Sequence, residues 1–294
     1  MERVCSICGT TDSERSVPTS KGTEYVCERC ISEHRIHGYS YKPTPVFHGN
    51  GKKFFGIEIE VISRKQTIAG EVLAANKVKS LFKKCKMKTP RYENPCYLKE
   101  DSSIDEGYNF EIVTHPMSLR FIQRHKVFDG IEDCGVFSWS SPSTGLHIHV
   151  SREAFSGDLA LAKLTWFYAN PKNWNFLEQI AQRENNGYCR KIRKIEGRRK
   201  YLSSYYKGYD RRTELNFTNR ATVEFRMFKG TVKPEAIYRA VEYVDAITDF
   251  CNSVAAVRVN FKEFVKFVET SRRGKNRRKW PHLEKWLKEN SYCF

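Results

Sequence analysis

The chain has 294 residues, of which 40% are hydrophobic and 13% aromatic, which excludes a disordered chain and allows a sizeable core. Its formal net charge of +17 points to polyanions, or to substrates that carry phosphate and carboxylate groups, without choosing between them. The length suits one large catalytic domain and a small module.

The N-terminus, Met1-Glu2-Arg3-Val4-Cys5, has no apolar core of a secretory signal. No run approaches the roughly 20 apolar residues of a membrane span, so a cytoplasmic protein without membrane contact is expected. Its 10 cysteines should then be mostly reduced, and clusters among them should bind metal.

Residues 1–40 read as a separate unit. Cys5-x-x-Cys8 is followed, after 18 residues, by Cys27-x-x-Cys30. Two such pairs supply the four thiolates of a tetrahedral zinc shell, and Gly9 suits the turn of the first knuckle. The unit is too small to fold on an apolar core, so structural Zn²⁺ would supply its folding energy. The motif resembles a zinc ribbon or treble-clef knuckle. His34 and His37 follow as residues expected in solvent. Residues 41–53, with Pro43, Pro45 and Gly49-Asn50-Gly51, read as a linker. The rest, 54–294, reads as the catalytic domain, with 262–294 as its helical C-terminal extension.

The catalytic domain opens on Phe54-Phe55-Gly56-Ile57-Glu58-Ile59-Glu60-Val61. Ile57, Ile59 and Val61 share one strand face, and Glu58 and Glu60 the other, about 6.5–7 Å apart. Two neighbouring carboxylates repel unless a cation lies between them, so this strand is expected to wall a cation site. An amphipathic helix follows over 71–84, its lysines forming a solvated face. Residues 96–114 read as a hairpin: Cys96–Lys99, a turn beginning at Asp101, and a return strand in which Glu111 opposes Phe110 and Ile112. Residues 144–151 alternate again, with His147 and His149 on the polar face and Gly145 allowing close approach.

Helical periodicity runs over 158–183, broken near Asn170-Pro171, with Trp166 and Trp174 as core residues. Residues 187–212, ending in Arg211 and Arg212, are basic and aromatic; they suit an anion-binding loop over a phosphate site, and also nucleic acid. In 221–228, Val223, Phe225 and Met227 share a face and Glu224 and Arg226 the other. Pro234 opens a long helix to about residue 257; shorter helices are expected at 261–270 and 281–290, with an exposed basic loop at 272–279.

Four strands thus share one design, an apolar face and a polar face of carboxylates, imidazoles and one guanidinium. Several carboxylates on one sheet face need cations, and mostly oxygen ligands suit Mg²⁺ or Mn²⁺. Arg226 beside Glu224 offers a planar fork to a phosphate bridged to the metal. The combination asks for a nucleoside triphosphate with metal, and for phosphoryl transfer.

Gly56-Ile57-Glu58-Ile59-Glu60, Asp101-Ser102-Ser103 leading to Glu111, Thr144-Gly145-Leu146-His147-Ile148-His149-Val150-Ser151, and Thr222-Val223-Glu224-Phe225-Arg226 through Gly230-Thr231 resemble the amidoligase family in motif and order. These are carboxylate–amine ligases related to glutamine synthetase and glutamate–cysteine ligase. The resemblance covers 54–231; the cysteine module and the tail lie outside it. It implies an α+β fold whose curved antiparallel sheet, of the glutamine-synthetase-like ligase type, is backed by helices. It further implies ATP and divalent ions, with a carboxylate attacking the γ-phosphate and an amine then displacing phosphate from the acyl phosphate. Carried over strand by strand, Glu58, Glu60, Glu111, His147 and Glu224 are implied metal ligands. His149 and Arg226 are implied phosphate contacts. Glu58, Glu60, Arg226 and Asp101 are the catalytic candidates, Asp101 orienting the amine or taking its proton. Asn216 is expected to line the pocket, and Arg212 with the basic segment to hold the carboxylate or cover the acyl phosphate. The expected acid is the carboxylate of an amino acid, a peptide or a protein. The competing reading is a zinc-module nucleic-acid-binding protein whose acidic sheet face is a two-metal nuclease site. A degenerate ligase fold used as a scaffold is disfavoured by the retained carboxylates and histidines.

Overall fold

The structure is a computed structural model that describes residues 3–5, 8–11, 15–19, 22–27, 29–30, 36–84, 95–104, 107–138, 143–183, 189–192, 212–273 and 277–292. The strands are β1 (Arg15–Thr19), β2 (Gly22–Val26), β3 (Phe55–Ser63), β4 (Cys96–Lys99), β5 (Asn109–Thr114), β6 (Val136–Phe137), β7 (Gly145–Ser151), β8 (Leu215–Asn216), β9 (Thr222–Lys229), β10 (Arg272–Arg273) and β11 (Arg277–Arg278). The helices are α1 (Ile68–Lys83), α2 (Leu119–His125), α3 (Asp158–Ala169), α4 (Trp174–Ala181), α5 (Pro234–Ser253), α6 (Phe261–Thr270) and α7 (Pro281–Glu289).

β4-β5-β3-β7-β9-β8 form one antiparallel sheet, and β6 pairs with β3. Its apolar side carries Ile57, Ile59, Phe110, Ile112, Ile148, Val150, Val223 and Phe225, all buried against helices that include Val78, Phe82, Phe167 and Val244. This is the expected α+β class, an antiparallel sheet backed by helices. Three helices start where a side chain takes up a free N–H group: Thr67 caps α1, Ser118 caps α2 and Asn260 caps α6. The pattern over 158–183 is two helices, because the chain leaves α3 at Asn170 and re-enters through Pro171–Asn173.

Three regions differ from the sequence reading. The basic segment 272–279 is no simple loop: β10 and β11 pair, and Arg272 and Arg278 reach the buried carboxylate of Glu284 at 3.8 and 3.4 Å. The C-terminal extension packs into the core through Trp280, whose Nε1 donates to Asp245 Oδ2 at 2.7 Å. His37 is not a free solvated residue. Its N–H donates to Leu98 O and its carbonyl accepts from Glu100 N, at 2.9 and 2.8 Å, so the chain lies alongside edge strand β4. Its ring stacks on Tyr41 at 3.6 Å. His34 lies outside the described residues. The segment 41–53 is pinned as well: His48 N donates to Pro116 O and Ser118 N to His48 O.

Candidate active site

Register decides which polar side chains meet. Residues directly opposite on antiparallel strands share a face with Cβ atoms about 5 Å apart. Glu60 pairs with Glu111 across β3 and β5, and Lys99 pairs with Glu111 across β4 and β5. Glu58 pairs with His147 across β3 and β7, and Glu224 with His149 and Asn216 on its two sides. A bulge adds to this: Leu146 faces Phe228 while Ile148 faces Phe225, so Arg226 and Met227 together oppose His147. Such a bulge re-aims side chains.

Two groups of potential ligands result. Glu58, His147 and Glu224 offer atoms within 4.8 Å of one another, and so do Glu60, Glu111 and His147. The His147 ring stands between them: Nδ1 lies 3.5 Å from Glu58 and 3.9 Å from Glu224, and Nε2 lies 3.7 Å from Glu60. His149 Nε2 is 3.2 Å from Glu58 Oε1, and its Nδ1 is 3.1 Å from Thr222 Oγ1. Arg226 is ion-paired with Glu224, whose other oxygen accepts from Asn216 Nδ2 at 2.7 Å. Two carboxylates and one imidazole per group, all in reach of one point, fit a small divalent cation.

The electrostatics separate the four glutamates. Burial works to raise Glu58, but His149 and His147 overcome it and hold the carboxyl well below its usual range. Glu224 is lowered too, since the two histidines and Arg226 outweigh its burial. Burial raises Glu60, with only part offset by His147, and the charge of Asp101 adds to the rise. Glu111 is pushed well above the ordinary carboxylate value by burial and by Glu58, against the pull of Lys99. One group is therefore readily anionic, and the other resists carrying two charges without a cation.

Gly145 sits where the chain must come close. A Cβ there would lie 2.8 Å from His147 Nε2, 3.0 Å from Arg183 Nη1 and 3.4 Å from Glu60 Oε2, and the Gly145 N–H donates to Glu60. The close approach expected of this glycine is that of its own site's side chains.

Two of the cations here escaped the sequence reading. Lys99 Nζ lies 2.7 Å from Glu111 Oε2. Only its place next to a hairpin turn marked it, because β4 is too short for a clear alternation. Arg183 follows Gln182, whose left-handed φ of 53° ends α4 and turns the chain toward Gly145. No periodic signal in the sequence points to it.

The remaining candidates are placed as follows. Asp101 is buried, accepts from Ser103 N and Oγ at 2.8 and 2.7 Å, and is close enough to raise Glu60. Asn216 touches Glu224 itself and so orients that carboxylate. Arg212 is exposed, and its carbonyl accepts from Arg190 N at 2.7 Å. Residues 193–211, most of the basic segment, lie outside the described residues. A cavity of about 170 Å³ opens beside Leu146, Phe228 and Arg239, and none of the carboxylates lines it.

Cys5, Cys8, Cys27 and Cys30 converge with their Sγ atoms within 4.8 Å. Cys8 and Cys27 are 3.6 Å apart, close to the edge of about 3.8 Å that Zn–S bonds of 2.3 Å give a tetrahedron. Cys27 N donates to Cys5 Sγ at 3.3 Å, and Gly9 takes a φ of 75° behind the first pair. Thr10 draws the Cys8 thiol down to about 6. The knuckle rests on Ile68 and Val72 of α1 and on Tyr108.

The family profile described as "Putative amidoligase enzyme" matches residues 52–248, about two thirds of the chain. The chain belongs to this amidoligase family. The match takes in every strand of the acidic sheet and ends within α5, so α6 and α7 lie beyond it. No curated protein matches the chain. Among solved structures, it is similar to the crystal structure of the complex between the prokaryotic ubiquitin-like protein Pup and its ligase PafA. The identity is 11% and the TM-score 0.34, over 81% of this chain and 58% of that one. The chain thus spans less than two thirds of that structure's length. Among the described residues no helix is long and apolar enough to cross a membrane.

Proposed function

We propose that the amidoligase is an ATP- and Mg²⁺-dependent carboxylate–amine ligase that forms an amide bond through an acyl phosphate. The observation that carries the reading is the convergence of Glu58, His147 and Glu224, and of Glu60, Glu111 and His147, on one face of the sheet. Two arginines, Arg226 and Arg183, stand at the same face. These carboxylates and the imidazole would hold Mg²⁺ or Mn²⁺. Bound there, the ion supplies neutralisation of phosphate charge.

The chain's own groups account for the rest. Arg226 has the planar fork to grip the transferring phosphoryl group, and Asn216 and Arg226 fix Glu224 in place. His149, held between Glu58 and Thr222, stands beside the phosphate position. A substrate carboxylate oxygen attacks the γ-phosphorus and ADP leaves. The amine then attacks the acyl carbon, phosphate departs with the C–O bond electrons, and the amine's proton passes to a base. Buried Asp101, beside Glu60, is the candidate base. The acid is an amino acid, a peptide or a protein side chain. Cys5, Cys8, Cys27 and Cys30 hold a structural Zn²⁺.

The test uses hydroxylamine as the amine, with pooled amino acids and peptides as acids. Mg²⁺-dependent ADP release together with a hydroxamate product supports acyl-phosphate chemistry. No ADP with any acid and amine pool, and no binding of metal-bound nucleotide, would sink it. Metal-dependent cleavage of nucleic acid that Glu58→Gln abolishes would replace it with the nuclease reading.

A further inference from the structure

Lys99 is not a loose surface lysine. Its register with Glu111 fixes the stem, and the Nζ contact at 2.7 Å is largely buried on both sides. The Tyr39 ring lies against the ammonium at 5.6 Å. On either side of Lys99, β4 is bonded to the backbone of His37, in the segment that leads out of the cysteine knuckle. The position opposite the Glu60–Glu111 pair is therefore filled by a tethered cation.

His147 points to the same conclusion. Its ring faces one cluster with Nδ1 and the other with Nε2, but a neutral imidazole has a single free lone pair. It can serve an ion in one cluster at a time. The nearby cations agree: Lys99 lies on Glu111 and Arg226 on Glu224, whereas Glu58 faces His149 and His147. Glu58 is partly open to solvent, which gives an ion a way in.

We propose that Lys99 is the built-in cation of the Glu60–Glu111 cluster, so that without nucleotide the chain takes up one divalent ion, in the Glu58–His147–Glu224 cluster, rather than two. The proposal rests on the ligase reading only in taking this face as a divalent-ion site. A further ion would have to arrive with the negative charge of a nucleotide.

The full chain, expressed with zinc, is titrated with Mn²⁺ in the absence of nucleotide, and free Mn²⁺ is counted by its electron paramagnetic resonance signal. The wild type is expected to bind one ion. Lys99→Met keeps the stem and removes the charge; it is expected to bind a second ion about tenfold or more tighter than the wild type does. Lys99→Arg is expected to keep one. Two ions of similar affinity on the wild type overturn the proposal, and so does a folded Lys99→Met indistinguishable from it. A wild type that binds no ion overturns both this proposal and the metal-site reading beneath it, whereas one ion in both proteins removes the Lys99 proposal alone. If Lys99→Met does not fold, Tyr39→Ala decides: a second ion tightened several-fold supports the proposal, and unchanged binding overturns it.

Discussion

The glutamates buried on α5 and on the sheet are treated in opposite ways. On α5, Glu242 is saturated. Its Oε1 accepts from Gln123 Nε2 and lies 3.0 Å from His282 Nδ1, and its Oε2 accepts from the His282 and Leu283 N–H groups that open α7. Asp245, one turn on, takes Trp280 Nε1 and Lys53. On the sheet, the ion-pair partners of Glu58 among the described residues are imidazoles, and Glu60 and Glu111 are both raised by burial. A buried carboxylate with every lone pair used anchors one element to another. Carboxylates crowded together with charge left over are waiting for a cation.

Breaking each kind of glutamate should give opposite phenotypes. Glu58→Gln should lower Mg²⁺-dependent ADP release by about a thousandfold, or ~4 kcal/mol, by loss of a ligand charge at the phosphoryl site. Its melting temperature should change little, because the lost attraction to His149 and His147 is set against the lost repulsion of Glu111 and Glu224. Steady-state ADP release and a thermal melt on one preparation check both. Glu242→Ala should do the reverse, costing about 3 kcal/mol of stability by leaving Gln123, His282 and the first turn of α7 unpaired. The ADP rate per folded molecule should hold, as judged by denaturant midpoint and active-site titration.

Glu214 sharpens the contrast by a smaller amount. It is buried, and burial with the nearby charge of Glu178 pushes its carboxyl up to about 7, against the Ile192 N–H and Lys191. The folded state therefore keeps this proton while the unfolded chain loses it. Its contribution to stability is greatest below pH about 4.5, falls as pH rises towards 7, and is flat above that, a span on the order of 3 kcal/mol. Glu214→Gln should flatten that slope in urea midpoints measured across the range. A slope that persists in the variant would assign it to other groups.

Much of this was legible in the chain. The four alternating strands, the face that holds Glu58, Glu60, Glu111, His147, His149, Glu224 and Arg226, and the two cysteine pairs are local patterns with a fixed period or spacing. The long helix after Pro234 was legible for the same reason. Helix α2, β6 and β8 passed unread because each is too short to show a period. The basic run around Arg272 and Arg278 read as solvated, since nothing local announces that Glu284 will be buried beneath it.

By itself the sequence determined which side of each strand is polar, because alternation is a property of the backbone and needs no partner. It could not determine register, because a slip along the sheet leaves every pattern intact while changing every neighbour. Only the assembled sheet sets Glu58 opposite His147 and Glu60 opposite Glu111, brings Lys99 from the edge strand onto Glu111, and turns Arg183 in from the end of α4. The carboxylates were written into the strands; the cations that share them were chosen by packing.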